Sequence, residues 1–161
     1  MQSARLLQNG TGGAVMFEKY TEELNDFHYR EEAIEQIKRR QGFTQKKQVI
    51  SYLTKNIPLE KKFQTDVMKG VRKAYPRAYV VKLSLAHYST AGIPDVMVIL
   101  DGHYFAFEIK RPFLRDIDPE HYGPTKLQIE TMRQLEQAGA SCGVVSYPEE
   151  AIAVIKKWKQ S

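Results

Sequence analysis

Apolar and polar positions along the 161-residue chain change their period several times, and each change marks an element. Between Phe17 and about Arg40, the apolar residues Leu24, Phe27, Ala33, Ile34 and Ile37 recur at roughly helical spacing. Glu31/Glu35 and Glu35/Arg39 are placed for i,i+4 support of that helix, and Gly42 stops it. Thr44 is placed to cap a second helix reaching about Lys55, with Val49, Ile50 and Leu53 on one side. Pro58 suits the first turn of a third helix, to about Ala74, in which Leu59, Phe63, Val67, Val71 and Tyr75 form an apolar i,i+4 ladder. Tyr75-Pro76 ends it. Residues 79–83 are then a short extended run, and 85–92 a loop. A fourth helix runs from Pro124-Thr125 to about Ala138, with Leu127, Met132 and Leu135 near one face. Residues 141–147 read as an apolar strand. Pro148 opens a last helix that turns Ile152, Ile155 and Trp158 inward.

The pattern is sharpest between Pro94 and Lys110. Two apolar runs flank Asp101-Gly102, and Asp-Gly suits a type I′ turn, which needs positive φ at both central residues. A two-residue turn dictates the register. Leu100 faces His103, Ile99 faces Tyr104, and Asp95 falls opposite Glu108. Opposed residues share a face with Cβ atoms roughly 4.5–5.5 Å apart, and Lys110 shares that face by alternation. Val96, Val98, Leu100, Phe105, Phe107 and Ile109 take the other. Two carboxylates and an amine thus gather on one side of the hairpin end. Close carboxylates repel unless a proton or cation sits with them. Mg²⁺ suits such a pair, because it takes one or two carboxylates plus water and phosphate oxygens. An adjacent lysine can orient or activate water or stabilise charge on phosphate. The plainer reading is a surface ion pair between Lys110 and Glu108.

Charge and composition narrow the field. Net charge is +5 with a pI near 9.2, which suits a polyanionic partner. The basic connector Lys38-Arg39-Arg40 with Lys46-Lys47 is placed to touch phosphates or is a solvated turn between helices. A single cysteine, Cys142, excludes an internal disulfide and a cysteine zinc cluster. No apolar run spans a membrane and no signal-peptide core precedes the first helix, so an intracellular protein is expected. Residues 1–15 read as a flexible tail, with Met16 a possible natural start, and 16–56 as a helical extension. Residues 57–161 read as one domain. In the 85–92 loop, His87 is open to three readings: a base, a phosphate donor or a solvated histidine. Residues 111–123 form a longer and more charged connection than geometry requires, and its alternating acids read as solvated.

Gly92-Ile93-Pro94-Asp95, Phe107-Glu108-Ile109-Lys110-Arg111-Pro112 and the later Leu127-Gln128 resemble the virus-type replication-repair nuclease family (VRR-NUC) of the PD-(D/E)XK nuclease superfamily. The resemblance covers about residues 59–155. It implies an α/β fold: a PD-(D/E)XK restriction-endonuclease-like core, with a mixed sheet flanked by helices. It implies a Mg²⁺- or Mn²⁺-dependent deoxyribonuclease acting on branched or otherwise structured DNA, and a phage-type homodimer that resolves four-way junctions. Asp95, Glu108 and the Ile109 carbonyl would be the metal ligands and Lys110 the catalytic lysine, with Glu60 and Gln128 assisting. Lys38, Arg39, Arg40, Lys46, Lys47, His87 and Arg111 are the expected DNA contacts. The competing readings are a non-catalytic nucleic-acid-binding module on the same fold and a small-molecule metal hydrolase, which would leave the basic charge unused. Residues 16–56 are expected to contribute to the dimer interface, since Phe17, Leu24, Phe27, Ile34, Ile37, Val49, Ile50 and Leu53 exceed what a compact catalytic core needs; the alternative is that these helices cap the core of a monomer.

Overall fold

The structure, a computed structural model, describes residues 27–83 and 91–161, and for 27–33 we describe the backbone alone. Within them the elements run α1 (Phe27–Gln41), α2 (Lys46–Asn56), α3 (Glu60–Ala74), β1 (Tyr79–Lys82), β2 (Val96–Leu100), β3 (His103–Ile109), α4 (Leu114–Ile117), α5 (Pro119–Tyr122), α6 (Lys126–Gln137), β4 (Ser141–Val145) and α7 (Pro148–Lys159). The chain is α/β. The elements fall into two compact units. One takes the described residues up to Leu59 together with Arg111–Gly123, and the other takes Glu60–Lys110 and Pro124–Ser161.

The second unit holds a four-stranded mixed sheet in the order β1-β2-β3-β4. The first three strands are antiparallel, and β4 joins β3 in parallel. The hairpin register is the one that a two-residue Asp101-Gly102 turn requires, with Leu100 opposite His103 and Ile99 opposite Tyr104. Asp101 and Gly102 both have positive φ, 50° and 79°, the type I′ condition. Val80, Val96, Val98, Leu100, Phe105, Phe107, Ile109 and Val145 are buried on one sheet face. Helices α3 and α7 cover that face. Trp158 stacks on His103 with centroids 4.4 Å apart and meets Phe105 edge-on at 5.4 Å, and Phe63 of α3 meets Tyr147 at 5.8 Å. The opposite face carries Met97, Ala106 and Cys142, and α6 lies over it. Cys142 Sγ donates to the Met132 carbonyl of α6 at 3.6 Å. Burial pushes the Cys142 thiol up to about 11, so it packs as an inert group.

In the first unit, α1 and α2 are joined through Gly42, whose φ is +69°. Ile34, Ile37, Val49 and Leu53 are all buried within the chain. Short helices α4 and α5 occupy what the sequence presents as a loop. Tyr122 Oη and Thr54 Oγ1 of α2 lie 2.9 Å apart.

Three expectations are corrected at helix starts. The second helix begins at Lys46, because the Gln48 side chain accepts from the amides of Thr44 and Gln45 at 2.9 Å each and so closes the entry turn beyond Thr44. The third begins at Glu60, so Leu59 lies outside its apolar ladder and is 73% exposed. Leu127 is also exposed: it sits in the first turn of α6, ahead of the buried Met132. The segments 17–26 and 84–90, with His87, lie outside the described residues.

Candidate active site

The hairpin end gathers the expected polar residues, and each is positioned by a different element. Glu108 is the penultimate residue of β3. Alternation turns it away from the phenylalanine face, toward the side covered by α6. It is 1% exposed. Lys110 follows the strand, and its Nζ lies 3.0 Å from Glu108 Oε1 with both side chains nearly buried. The same oxygen accepts from Gln128 Nε2 at 2.6 Å. Gln128 is held for this by a reciprocal cap at the start of α6. Its amide N–H donates to Thr125 Oγ1 at 3.2 Å, and its own Oε1 accepts from the Thr125 amide at 2.8 Å. The amide side chain therefore spends its oxygen on the helix start and its nitrogen on Glu108.

Asp95 lies one residue before β2, past the last ladder pair Val96–Phe107. Its Oδ2 accepts from the Ile109 amide at 2.8 Å, so the carboxylate ties the two strand ends together. Its backbone carbonyl accepts from the Leu83 amide at 2.8 Å. Gly92, just before it, approaches α6 closely. Its φ is +88°, and a Cβ there would lie 2.7 Å from Leu127 Cγ and 2.9 Å from Thr131 Oγ1. Only glycine meets both conditions.

Electrostatics mark Glu108. Its carboxyl is pushed up to about 7, first by burial and then by the Asp95 charge. The Lys110 hydrogen bond and charge oppose the shift, and Glu60 adds to it from the first turn of α3. Glu108 Oε2 is buried and has no hydrogen-bond partner, while Oε1 has two donors. A buried carboxylate oxygen left without a partner is costly. This donor set fits a hard divalent cation, which takes carboxylate oxygens and fills its shell with carbonyl, water and phosphate oxygens. Among the described residues, no three His, Cys, Asp or Glu side chains form a complete cage. A cation here would therefore depend on such outside ligands.

Sequence reasoning missed Ser146. It is fully buried, and its hydroxyl donates to the Lys110 carbonyl at 2.6 Å, while the Lys110 amide donates to Val145 O at 3.0 Å. These two bonds fix the backbone that carries the lysine. A serine ending an apolar run has no signature in sequence for this task.

The expected DNA contacts divide. Arg39, Arg40, Lys46 and Lys47 are exposed, and Lys38 pairs with Glu35 at 2.8 Å. Arg111 is a correction. It is buried, and its guanidinium donates to the carbonyls of Thr54 at 2.7 Å, Pro58 at 3.0 Å and Ile57. The Thr54 carbonyl in the last turn of α2 and those of Ile57 and Pro58 just past it have no helical amide ahead of them, and the flat cation satisfies them.

No protein-family model matches this chain, and no curated protein matches it.

Proposed function

We propose that the chain is a metal-dependent endonuclease with a PD-(D/E)XK-type core, hydrolysing phosphodiester bonds in structured DNA. The observation that carries this reading is the partnerless, buried oxygen of Glu108, set beside the Asp95 charge and the Lys110 ammonium. Asp95, Glu108 and the Ile109 carbonyl are the residues to hold Mg²⁺ or Mn²⁺. When bound, such a cation polarises a phosphate oxygen and makes water a stronger nucleophile at neutral pH.

The chain's own groups divide the rest of the work. Lys110 stabilises negative charge developing on the phosphate and orients the attacking water. Gln128 holds the Glu108 plane through Oε1 and leaves Oε2 for the cation. Glu60 contributes negative charge at the edge. Water adds to phosphorus, one bridging P–O bond breaks, and the departing oxygen takes up a proton. The exposed Arg39, Arg40, Lys46 and Lys47 of the helical unit suit phosphate contacts.

A two-fold pair of such sites would suit a four-way junction. Of the apolar residues that motivated a dimer interface, Ile34, Ile37, Val49 and Leu53 are buried in the chain itself and Ile50 is half-buried, while Phe17 and Leu24 lie outside the described residues. No helix among the described residues is long and apolar enough to cross a membrane.

The test is incubation of the full chain with labelled linear, flap and four-way-junction DNA, with and without Mg²⁺ or Mn²⁺. Metal-dependent cleavage that disappears in Asp95→Asn is the expected result. Cleavage that persists undiminished in Asp95→Asn overturns the assignment. Light scattering of the same samples reads the number of chains.

A further inference from the structure

The sheet unit has a second polar end, at the hairpin turn and away from Glu108. Helix α3 finishes there with Arg72 and Lys73 in its last turn, and α7 finishes there with Lys156, Lys157 and Lys159. Three contacts bring these ends to the turn. Lys159 Nζ lies 3.0 Å from Asp101 Oδ2 and 5.8 Å from the Tyr75 ring centre, and Arg77 reaches Asp101 Oδ1 at 2.8 Å. All six cations are exposed, Arg77 with 82% of its side chain in solvent, though Arg72 Nη2 already donates to the Val80 carbonyl at 2.7 Å and serves to hold the end of α3 to β1. Asp101 is the acid that Arg77 and Lys159 share, so the cations outnumber the carboxylates at this end. Helix dipoles favour a cation or two at each C-terminus. They do not account for Arg77, which stands on a turn, or for two helices delivering their bases to one place. Tyr79 lies two residues from Arg77, is 60% exposed and sits across from the part-exposed Ile99. A tyrosine hydroxyl is among the side-chain groups that donate to the phosphates of a duplex.

We infer that this basic end is a second DNA-contact surface, binding the phosphates of a duplex arm that extends from the candidate active site. The charge argument stands by itself; the link to the active site rests on the proposed nuclease function. Along β3 the two ends lie about 20 Å apart at roughly 3.3 Å per residue, and because Glu108 faces the α6 side of the sheet while α3 and α7 cover the other, this is the least distance an arm has to span. A duplex rising 3.4 Å per base pair covers that span in about six pairs. The surface therefore selects substrates whose duplex arm is at least about that long.

The experiment measures binding rather than cleavage. The full chain is titrated in EDTA with a fluorescent duplex of about 20 base pairs, by anisotropy, from 50 to 300 mM salt. Lys73→Gln/Lys157→Gln is compared with the unmodified chain. Each phosphate contact contributes about 0.9 to the log–log salt slope, so the double variant should lower the slope by about 1.8 and weaken Kd about tenfold at 0.1 M salt. A thermal melt unchanged by the substitutions shows that the effect is local. An unchanged Kd and slope overturn the inference. Equal losses on duplexes of 4 and 20 base pairs overturn the arm-length part. A chain that cleaves no DNA yet shows the expected slope change supports the surface and counts against the nuclease reading alone.

Discussion

Gln128 donates to Glu108 Oε1 at 2.6 Å from the first turn of α6, in a contact that joins residues 20 positions apart. The glutamine's oxygen is tied to Thr125 and cannot compete for this role. The bond therefore has a fixed direction and holds one edge of a buried carboxylate. Gln128→Ala should lower metal-dependent cleavage by about 10- to 100-fold, as loss of outer hydrogen bonds does at metal sites. Gln128→Glu should restore little, because it offers an acceptor where a donor is needed. Calorimetric Mn²⁺ binding checks this independently of turnover.

Asp95→Asn, Glu108→Gln and Lys110→Ala should each reduce cleavage about a thousandfold, or roughly 4 kcal/mol of transition-state stabilisation. Circular dichroism should show the fold retained. DNA binding in EDTA should survive, since these side chains contribute little to the phosphate-contacting surface.

The raised Glu108 carboxyl makes a pH prediction with an unusual sign. Its folded pKa, about 7, lies above the unfolded value near 4.5, so the native state holds the proton more tightly. Its contribution to stability is fully present below about pH 4.5 and is lost as pH rises toward and through 7. In EDTA, Tm should fall between pH 5 and 8 more steeply in the unmodified chain than in Glu108→Gln. Parallel Tm profiles for the two proteins would refute this environment for Glu108.

Gly92→Ala should destabilise the chain by about 2–4 kcal/mol. A left-handed φ costs a side chain about 1–2 kcal/mol, and overpacking against Leu127 and Thr131 adds more. Displaced α6 would also carry Gln128 off Glu108. Urea denaturation measures the first effect, and cleavage of the folded fraction measures the second.

Arg111→Met should destabilise the helical unit by about 2–4 kcal/mol, because it strands the carbonyls of Thr54, Ile57 and Pro58. Arg111→Lys should recover only part of this, since a point charge cannot bond several carbonyls in one plane. DNA affinity per folded molecule should stay unchanged in both, which separates this role from phosphate binding.

Local chemistry decided a good deal of this protein in advance. An Asp-Gly turn sets the hairpin register, and the register sets which side chains share a face. From those two facts Asp95 is expected opposite Glu108 without any knowledge of the remaining chain; the ladder runs to Val96–Phe107, and just beyond it Asp95 accepts from the Ile109 amide. Helix periods likewise place Phe63, Val67, Val71, Met132 and Ile155 inside. The sequence could not supply contacts whose partners lie far apart along it. Whether Lys110 faces water or lies buried against Glu108 depends on α6 closing over the sheet. Whether Arg111 is a surface cation or a clamp depends on the end of α2 lying within reach of its guanidinium. The basic end at the hairpin turn needs α3 and α7 to finish side by side, which long-range packing arranges and no local pattern encodes. Burial and charge crowding are properties of three-dimensional neighbours, so the Glu108 oxygen without a partner became visible only in the folded chain.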